Sequence, residues 1–533
     1  MPERISGLLA ASLLFLLAGC MVGPEYKKPP ANVADAWIAS RMGTLPQNSD
    51  VDYDEWWKSF GDPTLNELME MAYRQNLSLE TAGLRVVQAI AQRGFAIGQL
   101  YPQRQEATGS FTRETVARRM VEREEGSGND TGVLLPSTYN QWTLTPLSAG
   151  WELDLWGRYR RGIESADADL LASLYDYQDV LVSLLAEVAT TYVQFRTLQE
   201  QLEVAVHNVG LQTRSVEIVE ARFELGAVTE LDVAQSRSLL RDTESRIPGI
   251  RAQLRQAQDQ LCVLLGLPTQ KLDDILTGPP RVPSAPPDVI VGVPAQLLRA
   301  RPDIRRAERD VAAQSARIGI AAADFYPRLE LIGNIGLQSE SFSDLFQGQA
   351  FTAFGGPRFR WAILNYGRIA NNVRVEDAVF QQQVRLYEDT VLRAQQEVQD
   401  AMAGYLGAQR QVEFLELSVK DAALAVDLSE YQYREGATDY TRVLLSQQFL
   451  LQAQDRLVST KGAVALNLVT LHRSLGGGWQ FKEGEALIRP ETRAEMEDRI
   501  HWGDLLETEE DYRDIDAAEE SERDALRWWW PEW

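Results

Sequence analysis

The stretch FELGAVTELDV, residues 223–233, occurs a second time as YREGATDYTRV, residues 433–443. The same spacing of 210 residues places WGRYRRG, which starts at Trp156, on YGRIANN, which starts at Tyr366. No gap is needed in this alignment between residues 157 and 266. A repeat at so long a period indicates one structural unit that the chain contains twice.

The repeat also defines the domain boundaries. Upstream, NLSLETAGL from Asn76 aligns with RPDIRRAER from Arg301 at a spacing of 225, so the first half holds 15 extra residues. Between the halves, residues 268–294 contain seven of the 22 prolines, which favours an extended connector. We therefore expect a first repeat at residues 63–267 and a second at 295–478.

Each half contains a long helix with apolar residues at alternating steps of three and four. This heptad seam runs from Leu174 to Phe223 and again from Val384 to Tyr433. About 60 residues of helix would span roughly 90 Å. A second apolar row, which includes Leu171 and Val206, indicates neighbouring helices on two sides and argues against a solvated two-helix rod.

A returning helix is predicted to follow each long helix after a tight turn. Gly226 suits the left-handed position that ends the first helix, and Thr229 with Asp232 forms a capping box for the next. Gly436 takes the same place in the second half, where either Thr438 or Asp439 would cap the returning helix.

Between the first helix and the long helix of each half, the apolar pattern alternates as in a β-strand. We predict β-hairpins at about residues 103–154 and 328–364, with strands of about ten residues, the length that crosses an outer membrane at a tilt. Four strands are too few to close a barrel. Open strand edges cannot face lipid, so several copies would have to pool their strands, and three copies would supply 12.

The N-terminal residues are expected to direct export. Ile5 to Leu17 form an apolar run of signal-peptide length after Arg4, and the run is too short to span a bilayer. The following Leu17-Ala18-Gly19-Cys20 resembles the lipobox of bacterial lipoproteins. That resemblance implies a signal peptide at residues 1–19, an acylated Cys20 and a lipid-anchored extended segment at residues 20–62.

Composition and motifs argue against several classes of function. A net charge of −24 disfavours nucleic-acid binding, and no later stretch has 18 consecutive apolar residues, as a membrane-spanning helix would need. His207, His472 and His501 are far apart and lack metal-ligand spacing. Cys262 is expected to be a buried helix residue, and no nucleotide or nucleophile motif occurs. We expect no enzyme, no cofactor and no metal.

Several stretches together resemble the TolC/OprM type of outer-membrane efflux channel, in its lipoprotein (NodT-like) branch. They include CMVGPEYKKP, WWKSFGDPTLNELMEMAYRQN, RPDIRRAERDVAAQSARIGIAAADFYP and LGGGW, and they run from Cys20 to about Trp479. The resemblance implies a mainly α-helical homotrimer in which a 12-stranded transmembrane β-barrel continues into a long periplasmic α-helical barrel. It also implies the Gram-negative outer membrane and, as partners, a periplasmic adaptor and an inner-membrane pump of the RND type.

The resemblance assigns roles to particular residues. The two turns would form the periplasmic mouth that meets the adaptor, through the residues Leu225, Gly226, Ala227, Gly436 and Ala437. Asp427 and Glu430 lie three apart on one helix face, and in a trimer they would make a ring of six carboxylates that narrows the tunnel and favours cations. A solvated acidic face is the alternative.

The stretch RMVEREEGSG and the residues after about Gly484 depart from the resemblance, and we expect a separate acidic C-terminal tail at residues 479–533. From Gly484 onward the chain has 17 acidic residues against 6 arginines and ends in RWWWPEW. This composition predicts disorder, whereas the terminal tryptophans are typical of a segment that docks on protein or lipid.

Two functions are therefore compared. The first is a passive exit duct that conducts small molecules such as drugs or toxic compounds from a pump to the outside. The second, a lipid-anchored periplasmic coiled-coil scaffold without a pore, would leave four amphipathic strands without a purpose.

Overall fold

The computed structural model describes residues 21–34, 54–115, 138–286, 300–482 and 484–506. These residues are mainly helical. They divide into two compact units, the first drawn from residues 1–28, 89–170 and 309–384 and the second from residues 29–88, 171–308 and 385–533. Cys20 and the residues 287–294 of the predicted connector lie outside the described residues.

The elements of the first half begin with a 3₁₀ turn at Trp56–Phe60. They continue with α1 (Pro63–Gln75), α2 (Leu77–Gly98), β1 (Arg104–Thr115), β2 (Thr138–Leu153), α3 (Arg158–Glu224) and α4 (Glu230–Leu264). The second half supplies α5 (Pro302–Ala323), β3 (Arg328–Ser339), β4 (Phe351–Arg360), α6 (Arg368–Arg434) and α7 (Tyr440–Ser474). After these come α8 (Pro490–Arg499) and a 3₁₀ turn at Gly503–Leu506.

The internal repeat is visible in the helix lengths. The long helices α3 and α6 both have 67 residues, and the returning helices α4 and α7 both have 35. Corresponding helices start 210 residues apart, as the sequence alignment requires. At 1.5 Å per residue each long helix measures about 100 Å, somewhat more than its seam alone predicts.

The seam is buried in its middle and again near the C-terminal ends of α3 and α6, at Val219 and Tyr433. Phe195 is buried on α3, and Tyr405 is fully buried on α6. Two residues of the predicted apolar rows are exposed, however: Val206 by 50% and Phe223 by 44%. Their spacing is correct for the buried face, but within one described chain no other element covers these positions.

The first unit contains a four-stranded antiparallel sheet in the order β1-β2-β3-β4. The hairpin of each half lies within the stretch predicted for it. Pairing of β2 with β3, for example Trp151 with Leu331, joins the two hairpins into one sheet. The prediction for the last strand is too long, because β4 ends at Arg360 and Trp361–Leu364 are outside the sheet.

The core of the second unit forms where the N-terminal helices meet the end of the repeat. Asp62 caps α1, since its carboxylate accepts hydrogen bonds from the backbone N–H of Thr64 and Leu65. Trp57 is buried and meets Phe481 edge to face at 4.9 Å between ring centroids. Trp56 stacks on His472 with centroids 5.1 Å apart.

The expectation of a disordered C-terminal segment is wrong for residues 484–506. These residues include α8 and pack on α2, where Ile488, Met496 and Leu506 are buried with Val87. Composition misleads here because three well-placed apolar residues are enough to dock a charged helix on a preformed surface. Residues 507–533, including the terminal tryptophans, lie outside the described residues.

Among the described residues, no helix has an apolar stretch long enough to cross a membrane. Cys262 is buried, as predicted, and its thiol lies 3.6 Å from the Gln270 carbonyl oxygen.

His472 should make stability depend on pH. Burial lowers the pKa of His472 to about 4 from an ordinary value of 6.5. Between these values the unfolded chain binds a proton that the folded chain excludes, so the free energy of unfolding falls as the pH falls from about 6.5 to about 4. The loss is about 3 kcal/mol.

His472→Phe keeps an aromatic ring on Trp56 and removes this titration. Thermal unfolding of the wild type and of H472F should be measured between pH 7 and pH 4. H472F should lose less stability than the wild type as the pH falls. The same change at His207, which is exposed, should keep the wild-type dependence. Equal losses in wild type and H472F would contradict the assignment.

Candidate functional site: the helical tips and the N-terminal segment

The first predicted tip is a tight turn between α3 and α4. Gly226 has a φ of 71°, and the Ala227 N–H donates to the Arg222 carbonyl at 2.9 Å. The Thr229 N–H then donates to the Asp232 carboxylate at 2.9 Å, which begins α4. Gly226 therefore ends one helix in the left-handed conformation, as predicted from its position.

The second tip, between α6 and α7, repeats this geometry. Gly436 has a φ of 74°, and the Ala437 N–H donates to the Gln432 carbonyl at 2.8 Å. Asp439 occupies the capping position without a side-chain hydrogen bond, so the two tips differ in how the returning helix starts. The five residues predicted to form the docking surface are all exposed, and Leu225 is 83% exposed.

A small apolar cluster ties the two tips together. Val219, Val233, Tyr433, Tyr440 and Val443 are buried against one another just behind the turns. Burial raises the pKa of Tyr440 to about 12, so this phenol stays neutral over the physiological range. The cluster packs residues from both halves of the repeat and so fixes one tip against the other.

Arg222 adds a polar contact that sequence reasoning missed. Its guanidinium lies 4.3 Å from the centroid of the Tyr433 ring and donates to the carbonyls of Tyr433 and Arg434 at 2.9 and 2.8 Å. Those carbonyls belong to the C-terminal end of α6, where a positive charge is favourable. The internal repeat offered a signal for Arg222. The equivalent residue of the second half is the uncharged Gln432, so a positive charge occurs at this position in the first half alone.

The two acidic residues predicted to form a gate have different surroundings. Asp427 is exposed. Glu430 is partly buried and accepts hydrogen bonds from Gln447 at 3.1 Å and Arg434 at 3.4 Å. Gln447 also donates to the Ser215 hydroxyl at 2.7 Å. Glu430 is thus held toward α7, and Asp427 is the carboxylate that remains open.

Residues 21–26 lie in a closely fitted slot of the first unit. The Val22 N–H donates to the Trp156 carbonyl at 3.1 Å. Gly23 approaches Gly319 so closely that a Cβ on either residue would overlap backbone atoms. The fully buried Arg161 donates to Glu25 at 2.7 Å and to the Val22 carbonyl at 3.3 Å. The segment beside Cys20 is therefore held in place by specific contacts.

Three tryptophans lie where helices and strands meet in the same unit. The indole N–H of Trp151 donates to Leu100, that of Trp156 to Pro327 and that of Trp361 to Phe325, each at 2.8–3.0 Å from the carbonyl oxygen. An aromatic ring with one satisfied polar atom suits a boundary between apolar and polar surroundings.

Over the described residues, no group of three or more His, Cys, Asp or Glu side chains is arranged to hold a metal ion. His207 is exposed on α3, and His472 is buried on α7. The candidate site described here consists of the surfaces at the tips and the slot around residues 21–26.

Comparison with known proteins gives a consistent set of relatives. The sequence model of the family described as outer membrane efflux protein matches residues 68–267 and 293–477. The chain is 32% identical over 477 residues to the pyoverdine export outer membrane protein OpmQ of Pseudomonas putida, a match that covers 89% of this chain and 97% of that protein. It is 29% identical over 469 residues to nodulation protein T of Rhizobium leguminosarum bv. trifolii, with 87% and 96% covered.

Among solved structures, the outer-membrane channel OprN is similar to this chain. The match has a TM-score of 0.78 and 31% sequence identity, and it covers 86% of this chain and 100% of that chain.

Proposed function

Because this chain belongs to the outer membrane efflux protein family, we propose that three copies form the exit duct of a tripartite efflux system. The duct would pass small molecules such as drugs or toxic compounds through the outer membrane without an energy source of its own. An inner-membrane pump, of the RND type, would drive transport through a periplasmic adaptor.

The observation that carries this proposal is the sheet with two open edges. Among the described residues, β1 pairs with β2 alone and β4 with β3 alone. One edge of each outer strand, with its backbone N–H and C=O groups, therefore has no strand beside it in this four-stranded sheet. Such edges are not tolerated in lipid. Pairing of β1 in one copy with β4 in the next would close a barrel of 12 strands from three copies.

Apolar side chains on the strands support a lipid-facing surface. Phe111 on β1, Ile335 on β3 and Phe351 on β4 are exposed by 51, 46 and 58%, and the strand register places all three on one face of the sheet. Exposed aromatic and aliphatic residues on several neighbouring strands are unusual for a sheet in water. The tryptophans at the strand ends would lie at the edge of the lipid, where aromatic rings are favoured.

An apolar row on α6 supports contact between copies. Exposed apolar residues recur at heptad-like steps along this helix, on the side away from the buried seam: Phe414, Leu417, Leu424, Leu428 and Tyr431. A row of this kind needs a partner helix. The first choice for that partner is a helix of a neighbouring copy.

The scaffold without a pore explains less of the molecule. A lipid-anchored rod would account for the helices and for Cys20, but not for a sheet whose edges are open and whose apolar residues are exposed. Conductance separates the two functions directly.

Purified protein in a planar bilayer should give discrete conductance steps. Leu417→Asp would bury an unpaired charge between copies at a cost of several kcal/mol, so assembly and conductance should both be lost. Ser418→Asp, next to it and also exposed, adds the same charge away from the row and should conduct normally. A wild-type protein that assembles but never conducts would exclude the duct.

We propose the tips as the docking surface for the adaptor. Gly226→Val and Gly436→Val force a β-branched residue to positive φ, which costs on the order of 1–2 kcal/mol and reshapes only the turn. Export should fail while assembly and bilayer conductance persist. Gly210→Val, on α3 and with open space at its Cβ, is the matched control that should keep export.

Drug sensitivity of cells and the amount of assembled protein in the outer membrane of the same cells give the readout. Full resistance with normal assembly in both tip variants would remove the tips from the mechanism.

The lipid anchor at Cys20 completes the proposal. The slot that holds residues 21–26 includes Trp156, which closely follows the end of β2. An acyl group on the neighbouring Cys20 would therefore lie near the strand ends, which supports attachment at the membrane. Cys20→Ser should abolish metabolic palmitate labelling; labelling that persists in this variant would refute acylation at Cys20.

The proposal includes a ring of carboxylates from Asp427 and Glu430 that narrows the tunnel and favours cations. Asp427 would contribute most of its charge, because its carboxylate is exposed. Asp427→Asn should lower cation selectivity in the bilayer more than Glu430→Gln, because Glu430 already shares its charge with Arg434. The reverse order would contradict this assignment.

A further inference from the structure

We infer that residues 484–506 act as an intramolecular ligand for a groove on α2. We call these residues the strap, and the residues Glu80, Gly83, Leu84 and Val87 the strap groove. Strap and groove both belong to the second unit. The inference does not depend on transport, and it concerns a part of the chain that begins after the family match ends at residue 477.

A polar contact fixes the start of α8 on the groove. Arg489 forms an ion pair with Glu80, and the Thr492 hydroxyl donates to the same carboxylate at 2.5 Å. The hydrogen bond from Arg489 holds the pKa of Glu80 below its usual value. The Glu80 side chain is only 10% exposed. A carboxylate so covered is unfavourable without partners, and the strap supplies two, Arg489 and Thr492.

Gly83 forms a notch that fits the strap backbone. A Cβ at this position would overlap the carbonyl oxygen of Leu487. Glycine inside a helix normally costs about 0.5–1 kcal/mol relative to alanine. Gly94, on the same helix, has open space at its Cβ. The glycine at 83 is therefore explained by the close approach of the strap.

Apolar contacts extend along the whole strap. Ile488, Met496 and Leu506 lie before, within and after α8, and all three are buried with Val87. Leu84 and Trp502 pack against this cluster. The groove thus recognises an extended segment followed by a short helix, with an arginine and a threonine at defined positions.

The strap directly precedes a strongly acidic stretch of the sequence. Residues 507–533 contain 11 acidic residues and three arginines, and they follow directly after the buried Leu506. Docking of the strap covers part of α2. Its release would uncover Leu84 and Val87 and leave Glu80 without its arginine.

The decisive test compares two glycine substitutions in the full-length protein. Helix propensity alone predicts that Gly83→Ala and Gly94→Ala both stabilise α2. The strap inference predicts that only Gly83→Ala speeds hydrogen–deuterium exchange of residues 484–506, by about tenfold or more. Gly94→Ala should leave that exchange at the wild-type rate. Equal protection of the strap in both variants would overturn the inference.

A second pair of variants tests the strap from its own side and leaves α2 intact. Met496→Lys places a charge against Val87, whereas Ala494→Lys adds the same charge at an exposed position of α8. Met496→Lys should release the strap to rapid exchange and to proteolysis, while exchange within α3 and α6 stays unchanged. A strap that remains protected in Met496→Lys would show that the groove does not hold it.

Discussion

The open edges of β1 and β4 are the constraint on which the rest of the account depends. A backbone amide that loses water must find another hydrogen-bond partner, and a strand edge presents a whole row of such groups. Pairing of β2 with β3 reduces the open edges of two hairpins from four to two. Two edges stay open in the described sheet, and in the proposed duct neighbouring copies of the chain would supply the missing pairing.

Local physics made the turns and helices predictable. Gly226 and Gly436 follow long heptad seams, and only glycine takes a left-handed backbone there without strain. The alternation of apolar and polar residues likewise predicts the positions of both hairpins. These signals lie within a few residues of the feature they specify, and a single sequence therefore carries them in full.

Features that depend on distant residues were not predictable in this way. The composition of the strap is that of a disordered segment, yet Arg489 finds Glu80 at a separation of 409 residues. Glu430 shares the helical spacing of a gate residue, but Gln447 on α7 holds its carboxylate. Phe223 fits the buried period and is exposed. For Glu80 and Glu430, a residue far away in the sequence determines the surroundings of the carboxylate. For Phe223, no described element covers the side chain.

Cross-linking of β1 to β4 tests the central claim most directly. Within one chain these strands are about 14 Å apart, since three strand spacings separate them. A cross-linker of about 8 Å between cysteines at Ser110 and Gly355 can therefore join only different copies. The account predicts a closed species of three chains in the outer membrane. Cross-linked pairs without a three-chain species, or uncross-linked monomers alone, would contradict it.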